Sequence, residues 1–334
     1  MSSHRFMSAI DMQKVKELFA ELKSIQDEFK KAYGVSDIYT NSRVFEILIA
    51  NQFNHMLLPA VAGGRDAKDA QNGEYEYKHY KESSSNHTWT FNDYSDTTIE
   101  KLKTTMAVIF AHINDDEMPP VFDWYYYVKG RIISNFLATR TKKIQNKRKM
   151  INVSPRQLKN DLSIPKSLVT PLTKGKYDKF IIRIFNATAG LERELGTSDI
   201  LTSNKLWEVL IGIKLGHTVL TNKSEFDAVD KNGNKYEYKV SKAHSWAFED
   251  ITPDVLSKFT HTKSIFLATI DKQNMVITEL WEVDPIKTKA FLEQKLEEKK
   301  TRYEHKGGLR RLQVSISVKD LILLGAKLVT LEMH

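Results

Sequence analysis

The chain has 334 residues, 41% hydrophobic and 28% charged, and its 50 basic side chains against 42 acidic ones leave a formal charge of +8. This is the composition of a globular protein with room for two domains of ordinary size, and not of a disordered chain. There is no cysteine, which excludes disulfides and thiolate-bound zinc and fits a cytoplasmic, prokaryotic-type intracellular setting. The first residues lack an apolar signal-peptide run and no stretch approaches a membrane span, so no membrane is expected as partner. The basic excess favours a polyanion.

Apolar residues at helical spacing (Val15, Leu18, Phe19, Leu22, Ile25, Phe29) predict a helix over 11–33 that Gly34 ends. A second helix is predicted at 42–56, a strand, turn and strand over 65–80, and further strands at 106–111 and 124–128. A short strand follows at 151–154. The same series then returns: helices at 177–195 and 204–217, strand, turn and strand over 225–241, strands at 264–269 and 279–283, and a short one at 313–316. Wording returns with it. Gly34-Val35-Ser36-Asp37-Ile38 becomes Gly196-Thr197-Ser198-Asp199-Ile200, Glu76-Tyr77-Lys78 becomes Glu237-Tyr238-Lys239, and His87-Thr88-Trp89-Thr90-Phe91 becomes His244-Ser245-Trp246-Ala247-Phe248. An internal repeat of this kind predicts two like domains, 1–160 and 176–334, with a proline-bearing linker at 161–175. The predicted class is α/β (α+β), a mixed β-sheet flanked by helices, duplicated as an intramolecular pseudo-dimer.

Asn232-Gly233 between strand-like runs is a hairpin signal, and Asn72-Gly73 stands at the same place in the first copy. With the turn centred near Gly233, Asp227 lies opposite Lys239 and diagonal to Glu237, all on one face, while Asp230 points to the other. Asp66, Glu76 and Lys78 repeat that spacing, with Asp69 in the place of Asp230. Two carboxylates beside an amine suit hydrolysis of a phosphodiester. The carboxylates can hold a hard divalent cation through oxygen, and the amine can orient water or offset charge developing on a phosphate. The aromatics of the His-x-Trp-x-Phe runs read as core, and His55 and His217 as capping or core residues.

An Asp, a hairpin and then Glu-x-Lys, preceded by a helix containing Glu, resembles the PD-(D/E)XK nuclease superfamily, and within it the type II restriction endonucleases. Neither copy has proline before its Asp, where Arg65 and Phe226 stand. The resemblance implies a restriction endonuclease-like core in each half. It implies two active sites, Asp66, Glu76 and Lys78 in one and Asp227, Glu237 and Lys239 in the other. Mg2+, with Mn2+ as substitute, would sit on Asp66, Glu76, Asp227 and Glu237. Glu46 and Glu208, on the preceding helices, match the extra acidic residue that some members place near the metal.

Residues 124–160 carry ten Lys or Arg and no Asp or Glu. Arg140, Lys142, Lys143, Lys147, Arg148 and Lys149 there, with Arg310 and Arg311 near the other end, are the candidate contacts to double-stranded DNA. The expected function is a sequence-specific, divalent-metal-dependent endodeoxyribonuclease that cuts both strands, acting as a monomeric pseudo-dimer with a dimer as the alternative. The competing expectation is a DNA-binding or repair protein in which one or both copies are non-catalytic. A weaker third is an RNA-directed nuclease, for which Trp124 to Tyr127 could stack unpaired bases.

Overall fold

The computed structural model describes residues 10–60, 65–92, 95–143, 150–221, 224–304, 309 and 312–331. Contacts divide the chain into two compact units. The N-terminal unit is Ser24–Asn186, and the C-terminal unit joins Met1–Lys23 to Ala187–His334. The boundaries fall inside helix α1 (Met12–Tyr33) and helix α6 (Asp178–Leu195), so each unit takes part of both.

In the N-terminal unit the last turns of α1 pack on the first turns of α6 through aromatic side chains. Phe29 meets Phe180 edge-on at 5.1 Å, Tyr33 meets Tyr177 at 4.8 Å, and the Arg183 guanidinium pairs with Glu28 at 2.8 Å. Helix α2 (Arg43–Phe53) follows, then β1 (Met56–Leu57), β2 (Ala67–Lys68), β3 (Glu74–Lys81), β4 (Trp89–Phe91), α3 (Asp96–Lys101), β5 (Ala107–Asn114), β6 (Val121–Lys129), α4 (Gly130–Thr141), β7 (Ile151–Val153), α5 (Pro155–Asn160) and β8 (Ser167–Leu168). Six strands make one sheet in the order β1-β2-β3-β5-β6-β8. Its central pair, β3 and β5, is parallel and the other pairs are antiparallel, so the sheet is mixed. β5 is apolar on both faces (Ala107, Val108, Ile109, Phe110, Ala111, all fully buried), as a strand covered from both sides must be. Residues 161–175 lie within this unit and supply β8.

β4 and β7 form a separate two-stranded ribbon. It closes a core of Trp89, Phe91, Phe110, Val128, Ile133 and Leu137, and the buried Trp89 indole N–H donates to the Ala111 carbonyl at 2.8 Å. The predicted core role of these aromatics is what the side chains do.

The C-terminal unit contains α7 (Lys205–Leu215), β9 (Thr218–Val219), β10 (Ala228–Val229), β11 (Lys235–Ser241), β12 (Ser245–Phe248), α8 (Pro253–Ser257), β13 (Ser264–Asp271), β14 (Val276–Val283), α9 (Pro285–Glu304), β15 (Val314–Ser317), α10 (Val318–Leu321) and β16 (Lys327–Leu328). Its sheet runs β16-β14-β13-β11-β10-β9, mixed, with the parallel pair β11 and β13 at its centre. Trp246 and Phe248 of the β12–β15 ribbon enter its core, and the Trp246 N–H donates to the Ala268 carbonyl at 2.9 Å. Among the described residues no helix is long and apolar enough to cross a membrane.

Candidate active site

The hairpin register decides which side chains meet. In the C-terminal unit Ala228 pairs with Tyr236, which brings Asp227 level with Glu237 instead of Lys239. The turn is the reason. The Asp230 N–H donates to the Asn234 carbonyl, so the turn centres on Asn232 and not on Gly233. The Asp230 carboxylate is consumed there, accepting the Asn232 and Asn234 N–H groups at 2.8 and 2.9 Å and the Tyr236 hydroxyl at 3.1 Å. The N-terminal unit has the same register, Ala67 opposite Tyr75, and Asp69 accepts from Gln71, Gly73 and Tyr75 in the same way. Two residues of shift leave the facing unchanged, so Asp227, Glu237 and Lys239 stay on one side of the sheet.

β2 and β10 are two residues long, and the aspartate just before each extends the pairing with its side chain. Asp66 Oδ2 accepts the Tyr77 N–H at 2.6 Å, and Asp227 Oδ2 accepts the Tyr238 N–H at 2.7 Å. The glutamates stand beside them. Lys78 Nζ donates to Glu76 Oε1 at 2.7 Å and Lys239 Nζ to Glu237 Oε1 at 2.6 Å. Both lysines lie over phenylalanine rings of the small ribbons, Lys78 over Phe91 at 5.3 Å and Lys239 over Phe248 at 5.4 Å. The helix glutamates also belong to the clusters. Glu46, on the first turn of α2, is held by Arg43 at 2.6 Å, and Glu208 of α7 by Lys205 at 2.8 Å. Arg43 also donates to the Leu58 carbonyl.

Burial sets the electrostatics. It is the first cause that pushes the Asp66 carboxyl well above the usual carboxylate range, and the charges of Glu46 and Glu76 push the same way. Asp227 is raised to about 7, by burial first and then by Glu237. Glu46 is raised by burial against the pull of Arg43. Burial also opposes the charge of Glu237, but Lys239 and Lys258 together hold it below its ordinary value. Lys239 is held protonated by Glu237 and Asp227 against the cost of burial.

On the opposite face His55 stacks on Tyr75 at 4.1 Å and bonds the Tyr77 hydroxyl at 2.8 Å, and His217 repeats this with Tyr236 at 4.0 Å and Tyr238 at 2.7 Å. Burial lowers both histidines, His55 to about 4, so neutral imidazoles brace the strands that carry Glu-x-Lys.

Four cations of the two clusters escaped the sequence reading. For Arg43 and Lys205 a signal was present, since Arg or Lys three residues before Glu recurs on the helix and meets it one turn on. Arg65, 3.6 Å from Glu76, and Lys258, 2.8 Å from Glu237, carried none, because they occupy non-matching positions of the repeat.

Of the candidate DNA contacts, Lys142 and Lys143 are exposed just past α4, and Arg140 lies over the Phe136 ring at 5.1 Å and 3.7 Å from Asp161. Arg140 and Lys143 line a groove of about 750 Å³ with Asn135, Phe136, Thr139 and Asn152. Lys147, Arg148, Lys149, Arg310 and Arg311 lie outside the described residues.

Among the described residues no group of three or more His, Asp or Glu side chains forms a cage for a metal ion. Magnesium is commonly held by one or two carboxylates together with water and substrate phosphate oxygens, so Asp and Glu of each cluster are a sufficient donor set. The positive charge in each cluster sits on the glutamates, while each half-buried aspartate accepts, among the described residues, from one strand N–H and has an elevated proton affinity. That is where a hard divalent cation would fit. No protein-family model matches the chain, and no curated protein matches it.

Proposed function

We propose that this protein is a divalent-metal-dependent endodeoxyribonuclease of the PD-(D/E)XK superfamily, of the type II restriction kind, with two fused nuclease copies and one active site per half. One observation carries the reading. Aspartate, glutamate, lysine and a helix glutamate gather at the same end of the parallel strand pair in both units, with the same hydrogen bonds. A core needs no such charged set, and burying it twice is costly without a use.

In this reading Asp66 with Glu76, and Asp227 with Glu237, hold Mg2+ or Mn2+, and Glu46 and Glu208 add negative charge behind them. The ion supplies Lewis-acid polarisation of the phosphoryl oxygen and a lowered pKa for water. Lys78 and Lys239, fixed by glutamate and phenylalanine, hold positive charge beside the scissile phosphate and orient the attacking water. The exposed Lys142 and Lys143 and the half-buried Arg140 neutralise backbone phosphates of double-stranded DNA, and Asn135 and Asn152 in the groove are side chains suited to base edges. Two sites in one chain would cut two strands without a partner subunit, as a symmetric dimer does with two identical sites.

The competing reading, a DNA-binding or repair protein with silent copies, draws on the charge balance. Arg43, Arg65 and Lys78 stand among Glu46, Asp66 and Glu76, with Arg43 on Glu46 and both Arg65 and Lys78 on Glu76, as in a structural ion-pair network. Supercoiled plasmid DNA and Mg2+ decide between them. Lys78→Ala and Lys239→Ala are each expected to leave nicked circles, and the double variant intact plasmid. Linear product from either single variant at the wild-type rate refutes two-site cutting, and intact plasmid with the wild-type chain refutes the nuclease.

A further inference from the structure

Helices α4 and α9 are the same element in the two halves, and they differ where they face solvent. Ile133, Leu137 and Thr141 of α4 stand at the same steps behind Val128 as Thr288, Leu292 and Leu296 of α9 stand behind Val283, and all six are buried. A cation lies over a phenylalanine ring in each, Arg140 over Phe136 at 5.1 Å and Lys295 over Phe291 at 5.8 Å. The frame is therefore shared. Its outer side is not. Asn135, Thr139, Lys142 and Lys143 are exposed, and at the matching steps stand Ala290, Gln294, Glu297 and Glu298, exposed as well. Two lysines in one half are two glutamates in the other. The polar side chains of α9 are also engaged along its own length. Lys295 pairs with Glu298 at 3.0 Å, Lys300 with Glu297, and Gln294 donates to Glu298 at 2.9 Å.

The small ribbons differ in the same sense. Thr90 and Asn152 face each other across β4 and β7, and the Thr90 hydroxyl donates to the Asn152 amide oxygen at 2.8 Å. Asn152 lines the groove of about 750 Å³ with Asn135, Thr139 and Arg140. In the other ribbon the same cross-strand pair is Ala247 and Ser315. Two sites that cut two strands must each meet a phosphodiester in the same geometry, so the end of α9 comes to a DNA backbone as the end of α4 does. Lysines there attract the phosphates, and glutamates repel them. We propose that duplex DNA is gripped and read by the N-terminal half alone, through α4 and the β4–β7 ribbon, while Glu297 and Glu298 hold the C-terminal half off the backbone. The recognised sequence is then one-sided, where two equal halves would read a palindrome. This deepens the duplex-DNA reading above and rests on it.

Fluorescence anisotropy of a labelled mixed-sequence duplex, titrated without metal with the full-length chain bearing Lys78→Ala and Lys239→Ala, measures the grip apart from cutting. Adding Glu297→Lys and Glu298→Lys should steepen the slope of log affinity against log salt by about 2, as two new phosphate contacts do. Should the added charge fray α9, seen as lost helical ellipticity, Glu297→Gln with Glu298→Gln takes its place and should tighten binding about threefold at low salt. Selection from a random-sequence duplex pool with the same cutting-silent chain should return a consensus without two-fold symmetry. Asn152→Ala should lose about tenfold of the preference at one base pair, and Ser315→Ala should leave every position as it was. Binding that does not respond to the glutamate replacements, a palindromic or absent consensus, or a consensus that Asn152→Ala leaves intact or Ser315→Ala alters overturns the inference and leaves the nuclease reading standing. Failure of the cutting-silent chain to bind the duplex at low salt overturns the duplex-DNA reading itself.

Discussion

Asp227 accepts a 2.7 Å hydrogen bond from the backbone N–H of Tyr238, and that bond fixes a half-buried carboxylate at the strand residue that lies between Glu237 and Lys239. The aspartate is placed by the sheet and left with an excess of proton affinity. The pH behaviour of the protein follows from it.

Asp227 is raised from 3.8 to about 7 in the folded chain. Its contribution to stability is fully present below pH 3.8, where the carboxyl is protonated folded or unfolded, and is lost as pH climbs through about 7. On the proposed metal reading, a divalent ion would compete with that proton. The rise in thermal midpoint on adding saturating Mg2+ is therefore expected to be larger at pH 8 than at pH 6, by about 5 °C, measured by calorimetry.

Asp227→Asn removes the charge and keeps the shape. At pH 8 without metal the variant is expected to be more stable than wild type by on the order of 1 kcal/mol, while losing the Mg2+-dependent gain of the C-terminal half. Denaturant titration with and without Mg2+ checks both, and a variant less stable than wild type at pH 8 would contradict the assigned electrostatics.

Phe91 and Phe248 are fully or almost fully buried and carry the lysines on their rings. Phe91→Leu keeps an apolar side chain of similar volume, so the cost in stability should stay below about 1.5 kcal/mol. The lysine loses its platform, and strand cutting by the N-terminal half is expected to slow about tenfold. Relaxed-circle yield with the Lys239→Ala chain isolates that half.

Lys142→Ala with Lys143→Ala removes two exposed charges beside the Arg140 groove. The slope of log affinity for duplex DNA against log salt is expected to fall by about 2. Filter binding between low and moderate salt measures it, and an unchanged slope removes this surface from the DNA path.

The sequence made much of this legible because the strongest signals were physical and local. Helical spacing ended by Gly34 and Gly196 located α1 and α6 to within a residue or two. The apolar run at 106–111 located β5, while its central and buried place emerges only in the folded sheet. The register was missed by two residues because Asp230 closes its own turn, and a side chain accepting from Asn232 and Asn234 outweighs the preference of Asn-Gly for the turn centre. The short edge strands β1, β8, β9 and β16 have two residues each, too few to show a period. Arg65 and Lys258 were invisible for a different reason, since neither lies at the same step of the repeat as the other.

The exchange between Arg65 and Lys258 bears on how such proteins are found. Set column against column, the halves show arginine over phenylalanine at one step and two lysines at the other, and the shared requirement vanishes from the alignment. What persists is a position in space. Kinship written in that form outlasts letter-by-letter resemblance, and a search keyed to where charge stands around the strand ends would register it.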